Sequence, residues 1–174
     1  ARQFNPPAPN QTWVSDITYV RTYEGFLYVA TVMDLFSRRI VGWSMDKNMD
    51  KHLVIKALLM AVYQRQPKAD VMVHSDQGSQ YGSADYLAFM KEHNLVPSMS
   101  RAGNCHDNAV AESFFATIKK RIVKRKIYST REDAKAEIFN FIEMFYNPKK
   151  RHSHIGSVSP AKFEEAYFSE LETV

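Results

Sequence analysis

The sequence predicts an α/β domain: a mixed five-stranded sheet flanked by helices. Three observations carry this. Three β-prone segments follow one another with short connections, the pattern of an antiparallel meander. A helical segment and then a short apolar strand come next, the order of a crossover connection. Two further long helical segments, with apolar residues at helical spacing, supply cover for the sheet faces. A chain of 174 residues, 45% apolar and 13% aromatic, suffices for one such domain and its core.

Taken in order, residues 1–12 are an extended, partly mobile lead-in rich in Pro and Asn. TWVSDITYV (12–20) alternates well enough for a strand, and Gly25 marks a turn. FLYVATVMDL (26–35) is β-branched and aromatic; Ser37-Arg38-Arg39 turns the chain into IVGWSM (40–45). Residues 51–64 form a helix with Leu53, Val54, Ala57, Leu58, Ala61 and Val62 on its apolar face, ended by Pro67. ADVMVH (69–74) is a short strand leading into a polar loop at 75–82. A helix at 84–92 and a weak strand at 95–99 follow.

Residues 104–126, NCHDNAVAESFFATIKKRIVKRK, read as a helix with Asp107 as N-cap and a stripe of Val110, Phe114, Phe115, Ile118 and Ile122. A second long helix spans about 131–146, followed by a basic loop from 147 and a last helix at 160–171. Residues 13–147 are thus read as the core domain and 148–174 as a basic loop and short C-terminal helix.

Composition narrows the function. No apolar run is long enough to span a bilayer, and ARQFNPPAPN lacks the apolar stretch of a signal peptide. The chain does not open on Met and reads as a processed chain or a fragment. Cys105 is the single cysteine, which excludes an internal disulfide and a multi-cysteine zinc site and suits a reducing, cytoplasmic setting. The net charge of +4 is unevenly spread: residues 119–154 hold eleven Lys/Arg against four Asp/Glu. A dense basic segment beside a mildly acidic body suits a polyanion partner.

Three carboxylates stand out. Asp16 lies mid-strand among apolar neighbours, where a charge is expensive unless paired or metal-bound. Asp76 follows the end of another strand, where α/β sheets place ligands. Glu112 rides the helix at 104–126, with Lys119 two turns along nearly the same face. Singly, each has a plainer reading: a strand bend, a turn former, a surface helix residue. Together they would repel unless a cation lay between them. Mg²⁺, or Mn²⁺, suits few carboxylates plus phosphate oxygens, and two such ions can activate a water and steady a leaving oxygen. In the absence of metal Glu112 is expected to turn away, since nothing offsets its repulsion from the aspartates.

Thirty-five residues stand between Asp76 and Glu112, the D,D-35-E spacing of retroviral integrases and many transposases. The words WVSDITYV, VMDLFSRRIVGW, HSDQGSQY, SMSRAGNCHDNAVAESFFATIK and YNPKKRHSHIGSVSP resemble the second-frame (OrfB) transposases of the insertion-sequence-three family, from Trp13 to Phe163. The resemblance implies a ribonuclease-H-like catalytic core with Asp16, Asp76 and Glu112 as its metal-binding triad. It implies cutting of DNA at element ends and joining of a 3′ hydroxyl to another strand without a covalent protein intermediate. It further implies a homo-oligomer on DNA in the bacterial cytoplasm, associated with the nucleoid. The usual N-terminal DNA-binding helices are not among these residues.

Lys119 matches the basic residue expected to touch DNA near the cut. Lys120, Lys124, Arg151 and His152 are further candidate DNA contacts. His106, where an aromatic is expected, and Arg121, where an acid is common, depart from the pattern. Two alternatives remain at this point: a nuclease of the same fold that does not join strands, and a non-catalytic DNA-binding fragment.

Several other residues have cheaper explanations. Asp34 reads as a turn residue, and His74 as ordering the Asp76 loop. His152-Ser153-His154 suit phosphate contact or packing rather than metal. Tyr19 and Tyr81 are not needed as nucleophiles, and Gly78 and Gly82 are too sparse for a nucleotide loop.

One expectation is directly testable. Lys119→Ala should reduce cleavage and lower the salt slope of DNA binding by roughly one unit. Arg121→Ala should matter less for cleavage. A salt titration with a cleavage assay of each variant checks this; equal effects would make the helix a diffuse basic patch.

Overall fold

The computed structural model describes residues 5–99, 109–118, 120–121 and 127–173. Asp107, His106, Lys119 and Lys124 lie outside the described residues. The first three strands form the expected meander: β1 (Thr12–Thr22), β2 (Gly25–Asp34) and β3 (Ile40–Asp46). β1 pairs antiparallel with β2 from Trp13↔Asp34 to Thr22↔Gly25, and β2 with β3, with a register shift between Val32 and Met33. Helix α1 (Lys51–Arg65) crosses over, so β4 (Val71–Ser75) lies parallel to β1. Helix α2 (Ala84–Glu92) returns the chain to β5 (Leu95–Met99), parallel to β4. The sheet order is β3-β2-β1-β4-β5.

Local chemistry sets the helix ends. Asp50 caps α1 by accepting from the His52 and Leu53 amides, and Gln66 leaves it in a left-handed conformation before Pro67. Ser83 caps α2, Thr130 caps α4 (Arg131–Asn140) and Ser159 caps α6 (Pro160–Glu172), which opens on Pro160. The polar loop predicted at 75–82 contains a 3₁₀ turn, Ser79–Gly82.

The helix predicted to end at Tyr146 runs on. After α4 the chain is π-helical over Phe141–Tyr146 and makes one more turn, α5 (Asn147–Lys149). Pro148, read from sequence as part of a loop, is therefore inside it. The wider bonding explains the tolerance: Asn147 N–H bonds to Ile142 O and Lys150 N–H to Phe145 O, both five residues back. A proline that lacks a donor and crowds its i−4 carbonyl fits such a turn better than an α-helix.

Two cores flank the sheet. One holds Val14, Val20, Val29, Met33 and Ile40 with Phe114, Ile138, Phe141 and Tyr146 from the later helices. The other holds Trp13, Ala30, Val32 and Val73 with Leu53, Ala57 and Leu58 of α1 and Tyr86 and Met90 of α2. Helix α1 approaches β3 at Gly42, where an added Cβ would lie 2.2 Å from the Ala57 carbonyl oxygen and 2.9 Å from Ala61 Cβ. The end of the π stretch is pinned to β3 by Asn147: Ile40 N–H donates to Asn147 Oδ1 at 2.9 Å, and Asn147 Nδ2 donates to Ile40 O at 3.0 Å.

Asp34 does more than turn the chain. Its Oδ1 accepts from Phe36 N–H at 2.9 Å, the expected turn bond. Its Oδ2 accepts from Asn10 N–H at 2.8 Å and from Arg65 Nη2 at 3.2 Å. Arg65 also bonds Asn10 Oδ1 at 2.7 Å and both oxygens of Glu164, at 2.7 and 2.8 Å. Ser37 Oγ adds a 2.6 Å bond and Arg39 a 3.3 Å bond to Glu164. The lead-in at Asn10 is therefore tied down rather than mobile. Helix α6 docks through this knot and through Phe36, packed 4.8 Å from Phe163 and 5.0 Å from Tyr167.

Removing one member of a buried ion pair strands the other. Glu164→Ala should destabilise the domain by about 3–5 kcal/mol. Glu165→Ala, exposed one residue on, should shift stability by less than about 0.5 kcal/mol. Denaturant unfolding midpoints of the two variants check this.

Candidate active site

The parallel pairing of β1 and β4 sets the site. Their ladder runs Thr12↔Met72, Trp13↔Val73, Val14↔His74. Two residues beyond its last rung are Asp16, within β1, and Asp76, the first residue past the end of β4. Residues level on adjacent parallel strands face the same side. Both carboxylates are partly buried.

Each aspartate is held by a backbone amide. Asp16 Oδ1 accepts from Ile17 N–H at 2.8 Å, and Asp76 Oδ1 accepts from Gly78 N–H at 2.8 Å. A Cβ on Gly78 would stand 3.0 Å from Asp76 Oδ1 and 2.5 Å from Gln80 Oε1, so a side chain there would displace the Gln80 amide. Gly78 O then accepts from Tyr81 N–H at 3.0 Å and starts the 3₁₀ turn.

Tyr81 links the turn after Asp76 to β1. Its hydroxyl is 3.3 Å from Ser15 Oγ, and its ring is buried against Tyr86 at 5.4 Å. Burial pushes the hydroxyl well above its ordinary pKa, opposed by the Ser15 bond; Asp16, Tyr86 and Asp76 push it further up. Tyr81 stays protonated, and through Ser15 it braces the strand that carries Asp16. His74 is buried, with its Nδ1 3.3 Å from Ser98 Oγ on β5. Tyr19 lies away on an exposed aromatic cluster with Phe26 and Tyr28, at 5.0 and 6.3 Å.

Glu112 sits in the first turn of α3 (Ala109–Ile118). That helix packs Phe114 and Ile118 into the core on the Val14 face of the sheet, which is also the Asp16 face. Phe114 meets Tyr146 edge-on at 4.6 Å. Glu112, two residues earlier, is turned about 200° around the helix from Phe114 and is exposed. Among the described residues no group of three His, Cys, Asp or Glu stands at metal-holding spacing. The structure thus places Asp16 and Asp76 level with one another beyond the last rung of the β1–β4 ladder and puts Glu112 on the helix that crosses the same face, exposed. As a donor set, amide-braced carboxylates fit a hard divalent cation such as Mg²⁺ or Mn²⁺ and not a thiophilic one.

Of the candidate DNA contacts, Lys120 and Arg151 are exposed and His152 is partly buried. Arg121 lays its guanidinium 3.8 Å from the centre of the Phe145 ring, a packing role the sequence did not suggest. Sequence reasoning also missed Tyr81 as a brace and Arg38 as a buried cation. SRRI reads as a turn, and only the fold turns Arg38 inward.

Known proteins share this architecture. An integrase core domain family matches residues 6–105, and a second integrase core domain family matches residues 93–160. The chain is 48% identical over 163 residues to the transposase InsF for insertion sequence IS3A of Escherichia coli (strain K12), covering 94% of this chain and 57% of that protein. It is 46% identical over 164 residues to the insertion element IS600 uncharacterized 31 kDa protein of Shigella sonnei, covering 94% of this chain and 60% of the relative. It therefore spans less than two thirds of the length of these relatives. Among solved structures, the HTLV-2 integrase catalytic core domain in complex with magnesium (dimeric form) superposes with a TM-score of 0.66 at 14% identity, over 91% of this chain and 98% of that one. A chain of the simian T-cell lymphotropic virus intasome, in complex with a PP2A regulatory subunit, superposes with a TM-score of 0.70 at 14% identity, over 92% of this chain and 56% of that one. The five-stranded mixed sheet, its flanking helices and the match to residues 6–105 lead to one conclusion: this chain belongs to the integrase core domain family.

Proposed function

We propose that this chain is the catalytic core of a DNA transposase, which cuts DNA at insertion-sequence ends and joins the freed 3′ hydroxyl to target DNA. The observation that supports this is the pair of amide-braced aspartates, Asp16 in β1 and Asp76 just past β4, level across adjacent parallel strands in an integrase core domain. Asp16, Asp76 and Glu112 would hold Mg²⁺ or Mn²⁺, two ions with DNA bound; bound metal supplies Lewis-acid stabilisation of charge on phosphoryl oxygens. The protein's own share is positional. Gly78 and Ile17 amides aim the aspartates, and Tyr81 and Ser15 brace them from the far face. Helix α3 brings Glu112 as the third carboxylate when a cation offsets its repulsion from the other two.

Lys119, Lys120, Lys124, Arg151 and His152 are assigned to DNA backbone contact. The working form is a homo-oligomer on DNA, in the bacterial cytoplasm at the nucleoid. Recognition of the element ends is assigned to the part of the longer relatives that this chain does not span. Among the described residues no helix is long and apolar enough to cross a membrane.

Asp16→Asn, Asp76→Asn and Glu112→Gln should each lower Mg²⁺-dependent cleavage by the full-length enzyme about 1,000-fold or more. Cooperative unfolding should be retained, and Ca²⁺ should support DNA binding better than cleavage. A variant with near-normal cleavage removes that residue from the site. Cleaved ends that are never joined to a second duplex would favour a hydrolytic nuclease instead.

A further inference from the structure

A cavity of about 310 Å³ opens between α3 and the segment that follows α5. Arg38, Lys150, Arg151 and His152 line it on one side and the hydroxyls of Ser113 and Thr117 on the other. No Asp or Glu is among its described lining residues. Among the described lining residues this is a concentration of positive charge from Lys150 and Arg151, with Arg38 behind them under the influence of Asp34 and the Thr117 hydroxyl donating to Ser113 O.

Two details show that the wall is built rather than accidental. Arg38 is 6% exposed and holds a left-handed backbone, φ 65, a conformation that costs a residue other than glycine about 1–3 kcal/mol. Its guanidinium is braced by donating to Leu35 O and, at 3.2 Å, to Asn5 Oδ1. His152 buries Nε2 with no hydrogen-bond partner among the described residues, and its ring sits edge-on to Tyr146 at 5.1 Å. A buried polar atom left unmet costs about 1–3 kcal/mol. An anionic oxygen would partner His152 and the surrounding cations alike.

The cavity's place in the fold says which anion. Its floor includes Met33, which pairs with Val14 across β1 and β2. Val14 stands two residues before Asp16 on the same face of the sheet, roughly 7 Å away. Adding the spacing of about 5 Å between β1 and β2 puts Met33 roughly 8 Å from Asp16, the rise of two to three nucleotides along a strand. We propose that this cavity is a phosphate pocket, taking one backbone phosphate within about three nucleotides of the bond that is cut. The pocket would fix the register of the strand across the carboxylates, since a phosphate held off to one side leaves the next ones over Asp16 and Asp76. The proposal rests on the reading above that the substrate is DNA.

His152 provides the readout. Burial, and then the charges of Lys150, Arg38 and His154, lower its pKa to about 4. A phosphate entering the pocket reverses that balance. NMR titration of the His152 ring in this chain should show its pKa rising by at least one unit when a short DNA duplex saturates the protein, a tenfold gain in proton affinity. The same duplex with an uncharged methylphosphonate backbone should leave it unmoved, and inorganic phosphate at equal phosphate concentration should move it less. Lys150→Gln and Arg151→Gln, which spare the buried groups, should each lower the salt slope of duplex binding by about one and shrink the His152 shift. A duplex that binds by fluorescence anisotropy yet leaves His152 unmoved overturns the pocket while leaving the transposase reading intact. An equal shift with inorganic phosphate overturns the assignment to DNA. A chain that binds no duplex at all overturns the pocket, while the transposase reading stands or falls on cleavage by the full-length enzyme.

Discussion

The structure hangs on a buried knot of charge around Arg65. One guanidinium at the end of α1 bonds Asp34 at the end of β2, Asn10 before β1 and both oxygens of Glu164 in α6. Burial raises the Asp34 carboxyl pKa, although the Asn10 and Phe36 amides and then Arg65 pull it down. Burial of such a cluster is costly unless every member is paired, and here each carboxylate finds a donor. The knot makes the register of four separate pieces of chain interdependent. The β2–β3 turn is among them, and that turn throws Arg38 into its left-handed conformation and into the cationic cavity.

The two functional regions share a face of the sheet and differ in sign. Asp16 and Asp76 gather negative charge where β1 and β4 run side by side. Along the sheet from Asp16, at Met33, the wall turns basic with Arg38, Lys150 and Arg151. A polyanion crossing from one to the other meets attraction first and the carboxylates second, and a cation between the carboxylates and the phosphates removes the remaining repulsion. The aromatic packing of Phe114, Phe141 and Tyr146 beneath α3 holds the two regions at a set spacing.

Much of this was legible in the sequence because it depends on short-range pattern. Alternating β-branched residues gave the three antiparallel strands, and Asp50, Ser83 and Ser159 stand at the helix starts they cap. The spacing of Asp76 from Glu112 and the words around them pointed to the family. The π-helical stretch through Phe141–Tyr146 was not legible, because one residue of slack in a helix leaves no mark on its apolar period. Nor was the passage of Pro148 inside a helix, which depends on that slack.

By itself the sequence determined the elements, their order and the residue types at the site, since propensity, capping and hydrophobic period act within a few residues of each position. Only the tertiary structure decided which residues meet. It set Asp34 into an ion pair as well as a turn, turned Arg38 inward, and put the Tyr81 hydroxyl against Ser15, the neighbour of Asp16. It also turned Glu112 to solvent while its helix neighbours packed inward. The reason is physical. Contacts between residues distant in the chain are selected by burial and by the need to pair every buried polar group, and those demands arise only once the layers close.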